Sequence, residues 1–226
     1  MIVLLQRQTR FLTIWIRRDE MDRYFKLIII LFFTFFLGFT LTSNTSLASK
    51  TENASSIVQK LIEKIQNIQG TKYTEEEKRT EFLQVIQTFF DMNIVAKVST
   101  GPYWRTATSN EKKRYTELIT ELIADVTASQ LGDISNVEFQ LKSSTHKGDK
   151  MVIVSGELLV PNQSKSKINV NWRFSTPDSD VPKIIDVEFE NISMLVAQKE
   201  ESVAIIRKNG GVFSALITAI EEKLRK

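Results

Sequence analysis

Apolar residues recur every three or four positions through Ile57, Val58, Leu61, Ile62, Ile65 and Ile68, which predicts a helix over residues 54–69. The same spacing returns in Phe82, Leu83, Val85, Ile86, Phe89 and Phe90, behind an acidic start at Glu75-Glu76-Glu77 that suits the positive end of a helix. A short helix over 92–99 and a longer one from Ser109 to Leu131 follow, the latter carrying Tyr115, Leu118, Ile119, Leu122, Ile123 and Val126 on one side. The period then changes to two. Val137, Phe139 and Leu141 alternate with polar residues. Val152, Val154, Leu158 and Val160 share one parity, with Gly156 among them, and Ile168, Val170, Trp172 and Phe174 do the same. Ile185, Val187 and Phe189 alternate with Asp186, Glu188 and Glu190, which places Asp186 on the solvated side. Helix returns over 196–208, is broken at Asn209-Gly210-Gly211, and closes the chain from Val212.

The joining segments KSSTHKGDK, PNQSKSK and STPDSDVPK are turn-rich, so the strands read as a four-stranded antiparallel meander with one apolar face. Helices before and after such a sheet predict an α+β domain in which they cover it.

One short stretch resists this reading. In STGPYWRTATSNEKKRY, residues 99–115, Gly101-Pro102 marks a turn, and Thr108 with Glu111 three residues later fits a capping box. Capping leaves Tyr103, Trp104 and Arg105 unexplained.

The first 48 residues have their own layout. Leu27–Leu41 is apolar apart from Thr34, Gly38 and Thr40, follows Arg23 and Lys26, and leads to small residues at Ser46 and Ala48. That is the plan of a secretory signal peptide cleaved after Ala48, with Met21 a plausible true start. An uncleaved anchor is the competing reading, although the run is shorter than the roughly 20 residues a spanning helix needs. Six of the 30 Lys and Arg and three of the 27 Asp and Glu fall in residues 1–48, leaving 24 of each in 49–226. The net charge of +3 therefore sits in the leader, and the remaining domain has no bulk field to attract nucleic acid. There is no cysteine, so the domain must stand on its core. His146, the one histidine, lies in a polar turn, which argues against histidine triads and zinc sites.

No phosphate loop, dinucleotide fingerprint, nucleophile elbow or metal spacing is present, and no cofactor is implied. Asp91 can cap a helix, and nothing in the sequence brings it to Asp186 as a carboxylate pair. An enzyme is the losing class, and binding remains.

Two segments resemble a known family. FDMNIVAKVSTGPYWRTATSNEKKRYTELITELI is similar to the part of the MlaC (toluene-tolerance auxiliary component) family with a Phe-Asp pair, a short helix, a Gly-x-Tyr-Trp-Arg motif and a polar-led helix. IIDVEFENISMLVAQKEESVAIIRKNGGVFSALITAI resembles its Asp-Val strand, Ile-Ser step and closing helix pair. The resemblance covers about residues 54–226. The chain departs from it at Val181-Pro182-Lys183, where a Trp is usual, at Asn191 in place of Gly, and at Lys199 and Ser202 in the following helix.

The resemblance implies a periplasmic phospholipid carrier that helps maintain outer-membrane lipid asymmetry. Acyl chains would lie between sheet and helices, with the head group near solvent. The implied docking partners are an inner-membrane ATP-driven lipid transport complex and an outer-membrane lipoprotein complex. The apolar face Val152, Val154, Val170, Trp172, Ile185 and Val187 is the natural floor of such a cavity, or equally an ordinary core. Phe90 and Met194, from the two matching segments, complete the candidate lipid contacts with Tyr103 and Trp104. For the last two, with greasy bodies and polar tips, two roles fit. They line the cavity rim with Arg105 near a phosphate, or they pin the short helix to the core with Arg105 paired to an acid. An adaptor of the same fold without a cavity, or a scaffold anchored by Leu27–Leu41, are the alternatives to a carrier.

Overall fold

Four of the predicted helices form where an apolar stripe meets a side-chain cap: at Thr74, Asp91, Thr108 and Ser193. The computed structural model describes residues 45–131, 137–159, 167–176 and 181–225, with side chains from residue 49. The expected leader, including Leu27–Leu41 and the cleavage site after Ala48, lies outside the described side chains. So do most of the expected joining segment 161–167 and the middle of 175–183.

Helix α1 spans Thr45–Gly70, α2 Glu75–Phe89, α3 Met92–Ser99 and α4 Ser109–Gln130, with a 3-10 turn at Gly101–Arg105. Both α2 and α4 begin with complete capping boxes. The Glu111 N–H donates to Thr108 Oγ1 at 3.2 Å and the Thr108 N–H to Glu111 Oε2 at 2.8 Å, and Thr74 and Glu77 repeat the arrangement. These bonds hold the Glu77 and Glu111 carboxyls below their ordinary range. Asp91 caps α3 by accepting from the Ile94 N–H at 3.0 Å.

Strands β1 Glu138–His146, β2 Met151–Leu159, β3 Lys167–Ser175 and β4 Lys183–Phe189 pair antiparallel in sequence order. The sheet has five strands, not the expected four. Glu190 and Asn191 both take positive φ, 48° and 66°, in a two-residue hairpin, and Ile192–Ser193 form β5 beside the end of β4. A strand of two residues carries no alternation to detect. Helices α5, Met194–Lys208, and α6, Ser214–Leu224, complete the fold. Ser46–Lys226 forms one compact unit.

Two apolar clusters hold it together. In the first, Val58, Leu61 and Ile68 of α1 and Phe82 and Val85 of α2 close over Val152, Val154, Val170, Trp172, Phe174 and Ile184 of the sheet. In the second, α3, α4, α5 and α6 meet around Met92, Tyr115, Ile119, Ile206, Phe213 and Leu216. Tyr115 is fully buried, edge-on to the Phe213 ring at 5.7 Å, with its hydroxyl 2.8 Å from Ser99 Oγ and 3.3 Å from Ser202 Oγ. Ser202 thus joins α5 to α4 through a buried hydrogen bond.

Burial pushes the Tyr115 phenol above its ordinary value of 10.0, with the Ser202 and Ser99 hydrogen bonds opposing the shift. The folded state then holds this proton more tightly than the unfolded chain, so the stability it contributes is present below pH 10 and lost as pH rises through the folded value. Urea midpoints compared at neutral and strongly alkaline pH should fall for the wild type. Tyr115→Phe should start about 1 kcal/mol lower at neutral pH, having lost the shared hydroxyl, and fall less steeply. Equal slopes would remove Tyr115 from the alkaline response.

Candidate functional site

The sheet brings four of the expected floor residues together. Val152, Val154, Val170 and Trp172 are all buried, and Val154 lies directly opposite Trp172, which in turn lies opposite Val187. Val187 is half-buried against the same cluster. Ile185 is not part of it. The β3–β4 register slips between Arg173 and Phe174, so that Arg173 pairs with Asp186 but Phe174 with Ile184. Ile185 is the extra residue of this bulge, and Ile184, fully buried, takes the floor position instead.

The other expected contacts separate. Tyr103 and Trp104 pack on the helical cluster, away from the floor, and Lys112 Nζ sits 5.7 Å from the centre of the Trp104 ring. Their placement matches the role of pinning the turn to the helices. Arg105 is exposed and has no ion pair among the described residues, so the acid expected to pair with it is not found there. Met194 opens α5 at 42% exposure, beside the exposed Ile192 and Val196.

Phe90 stands at a junction. It ends α2, bridges to Ile184 of β4, and packs against both clusters. It also lines an open groove of about 490 Å³ between α2, α3 and α4. Leu83, Phe90 and Met92 form the apolar part of that groove, and Thr116, Thr120, Glu117, Glu121, Asp91 and Lys183 surround it. Lys183 is tied in place by donating to the Thr88 carbonyl. The groove was not foreseen, although residues 83, 87 and 90 and the pairs 116/120 and 117/121 stand at helical spacing. Only the packing of α2 beside α4 makes those stripes face one another.

Asp186 was also misplaced by its parity. It is 5% exposed, on the sheet face opposite Trp172. Its carboxylate accepts from Arg173 Nη1 at 2.8 Å, Ser193 Oγ at 2.7 Å and the Leu195 N–H at 3.0 Å, and Arg173 also donates to Glu188. The β5–α5 turn has folded over a position that alternation assigned to solvent. Among the described residues no group of acidic, histidine or cysteine side chains can hold a metal ion. No described helix is long and apolar enough to cross a membrane.

The family described as MlaC protein matches the chain over residues 55–222. Among solved structures, the chain is similar to a phospholipid-binding protein from Ralstonia solanacearum, determined in complex with a phospholipid. That likeness has a TM-score of 0.64 at 17% identity and covers 78% of this chain and 99% of that one. No curated protein matches the chain.

Proposed function

The chain belongs to the MlaC family, and from that membership we propose that it is a periplasmic phospholipid carrier working between the outer and inner membranes. The observation that carries the reading is the apolar sheet face under α1 and α2, inside the span that matches the family. The phospholipid complex of the Ralstonia solanacearum protein supports it. Acyl chains lodge against Val152, Val154, Val170, Trp172 and Val187, and the groove beside Phe90 is the way in. A binding role fits this site better than catalysis, since its floor is apolar and two of the polar groups at the groove, Asp91 and Lys183, cap a helix and tie one element to another.

The energetics require such a protein. Two acyl chains hold on the order of 30 methylenes at about 0.8 kcal/mol each, so roughly 20 kcal/mol opposes an uncovered lipid in water. A matching apolar site brings membrane and carrier close to balance, and the partner complexes then set direction. Those partners are an inner-membrane ATP-driven complex and an outer-membrane lipoprotein complex. Cleavage after Ala48 releases the carrier. It removes the first residues of α1 but leaves Ser49–Gly70, whose first fully buried residue is Ala54.

One observation favours a second reading, an adaptor of the same fold. Val152, Val154 and Val170 are closed over by the protein's own helices. Native mass spectrometry with lipid extraction separates the two. The exported protein is expected to carry phospholipid or take it up from vesicles, and to begin at Ser49. Protein that carries none and accepts none is the adaptor.

A further inference from the structure

Resting on the carrier reading, we infer that the indole N–H of Trp172 is the polar anchor of the lipid site, kept for an ester carbonyl oxygen of a bound diacyl phospholipid. Trp172 is 6% exposed at the centre of the sheet, and its buried Nε1 has no hydrogen-bond partner among the described residues. Its neighbours explain why. Val154 and Val187 lie opposite it on the flanking strands, and Val170 and Phe174 flank it on its own strand. None offers a side-chain acceptor.

An indole nitrogen can only donate, and buried donors in folded proteins are nearly always satisfied. The Tyr115 hydroxyl, with two partners, and the Asp186 carboxylate, with three donors, obey that rule. A phenylalanine would keep an apolar ring there without stranding a donor. Another unpartnered buried atom, Thr176 Oγ1, lies just past the end of this strand, four residues along. At about 3.3 Å per residue it lies roughly 13 Å away, beyond reach of the same acceptor.

The missing acceptor must arrive with a ligand, and its chemistry is constrained. A phosphate would have to leave its charge in an apolar interior, which a single hydrogen bond does not offset. An ester carbonyl is uncharged, accepts readily, and sits at the top of an acyl chain. Placed at Nε1, it leaves the chain to run along the valine floor and the head group to reach solvent. The anchor therefore selects ester-linked diacyl lipids over ether-linked ones.

The test offers lipid-stripped protein vesicles containing equal amounts of diester phosphatidylethanolamine and its diether analogue with the same chain lengths. Native mass spectrometry reads the ratio bound, because the two differ in mass. Wild type is expected to favour the diester about tenfold, equivalent to about 1.4 kcal/mol. Trp172→Phe should bind both equally, with a lower melting temperature when lipid-free because the smaller ring leaves a cavity. In ¹⁵N-labelled wild type, the Trp172 indole proton should move further downfield on binding diester than on binding diether, as a new hydrogen bond requires, with Trp104 as the internal reference. This second readout holds even if the variant fails to fold. Equal binding by the wild type, as a water at Nε1 would give, overturns the anchor while leaving the carrier intact. A preference that persists in Trp172→Phe also overturns it. Wild type that binds neither lipid overturns the carrier reading and the anchor with it.

Discussion

Asp186→Ala is expected to lower stability by roughly 2–4 kcal/mol, the largest effect of any single polar substitution in this domain. The carboxylate is buried on the sheet face opposite the floor and collects three donors from three different places in the fold. Arg173 comes from β3, Ser193 from β5, and the Leu195 N–H from the first turn of α5. The last of these is an otherwise orphaned amide at the positive end of a helix, where a negative charge is favoured. Truncation leaves all three without their acceptor. Arg173 is partly exposed and keeps Glu188, so its share is smaller than in a fully buried pair. The discriminating measurement is a cycle of Asp186→Ala, Arg173→Ala and the double variant by urea unfolding. The double variant should lose less than the sum of the two single ones, since each single change already breaks the Arg173–Asp186 pair. Hydrogen exchange should quicken at residues 192–196 in Asp186→Ala. A loss under about 1 kcal/mol would reduce the network to an ordinary surface pair.

Why Asp186 was assigned to solvent shows where a sequence stops informing. Strand alternation identifies two faces but says nothing of what later folds onto either. Here the hairpin at Glu190-Asn191 returns the chain across β4, and only then does residue 186 become interior. Ile185 fails for a different reason. A bulge inserts one residue and so reverses every parity assignment beyond it, and no residue type marks this one. By contrast, the Thr108–Glu111 box was legible because all of its atoms belong to four consecutive residues. The helices were legible because burial on one side repeats over several turns. The groove beside Phe90 was beyond such reading, being assembled from α2, α3, α4 and Lys183 by packing alone. Tyr103 and Trp104 needed the fold to choose between two roles, and it puts them on the helical cluster.

The floor itself decides between carrier and adaptor, and Val154→Trp is the substitution that separates them. Val154 is fully buried opposite Trp172, beneath α1 and α2, so the lipid-free protein has no room for an indole. Overpacking should therefore cost about 1–3 kcal/mol of stability without preventing folding. Its effect on lipid should be larger than on folding. An indole on the floor displaces several methylenes of a bound chain, and losing even two or three at about 0.8 kcal/mol each weakens binding by more than about tenfold. Gln87→Trp is the companion. Gln87 is exposed on the groove wall, so the change should leave stability within about 0.5 kcal/mol. If the groove is the entrance, that variant takes up lipid slowly but reaches the same final content. Melting temperature, uptake rate from vesicles and final lipid content should be measured on both. Val154→Trp that is destabilised yet fully loaded would show that the floor is plain core. Gln87→Trp that never loads, beside Val154→Trp that does, would move the lipid from the sheet into the groove.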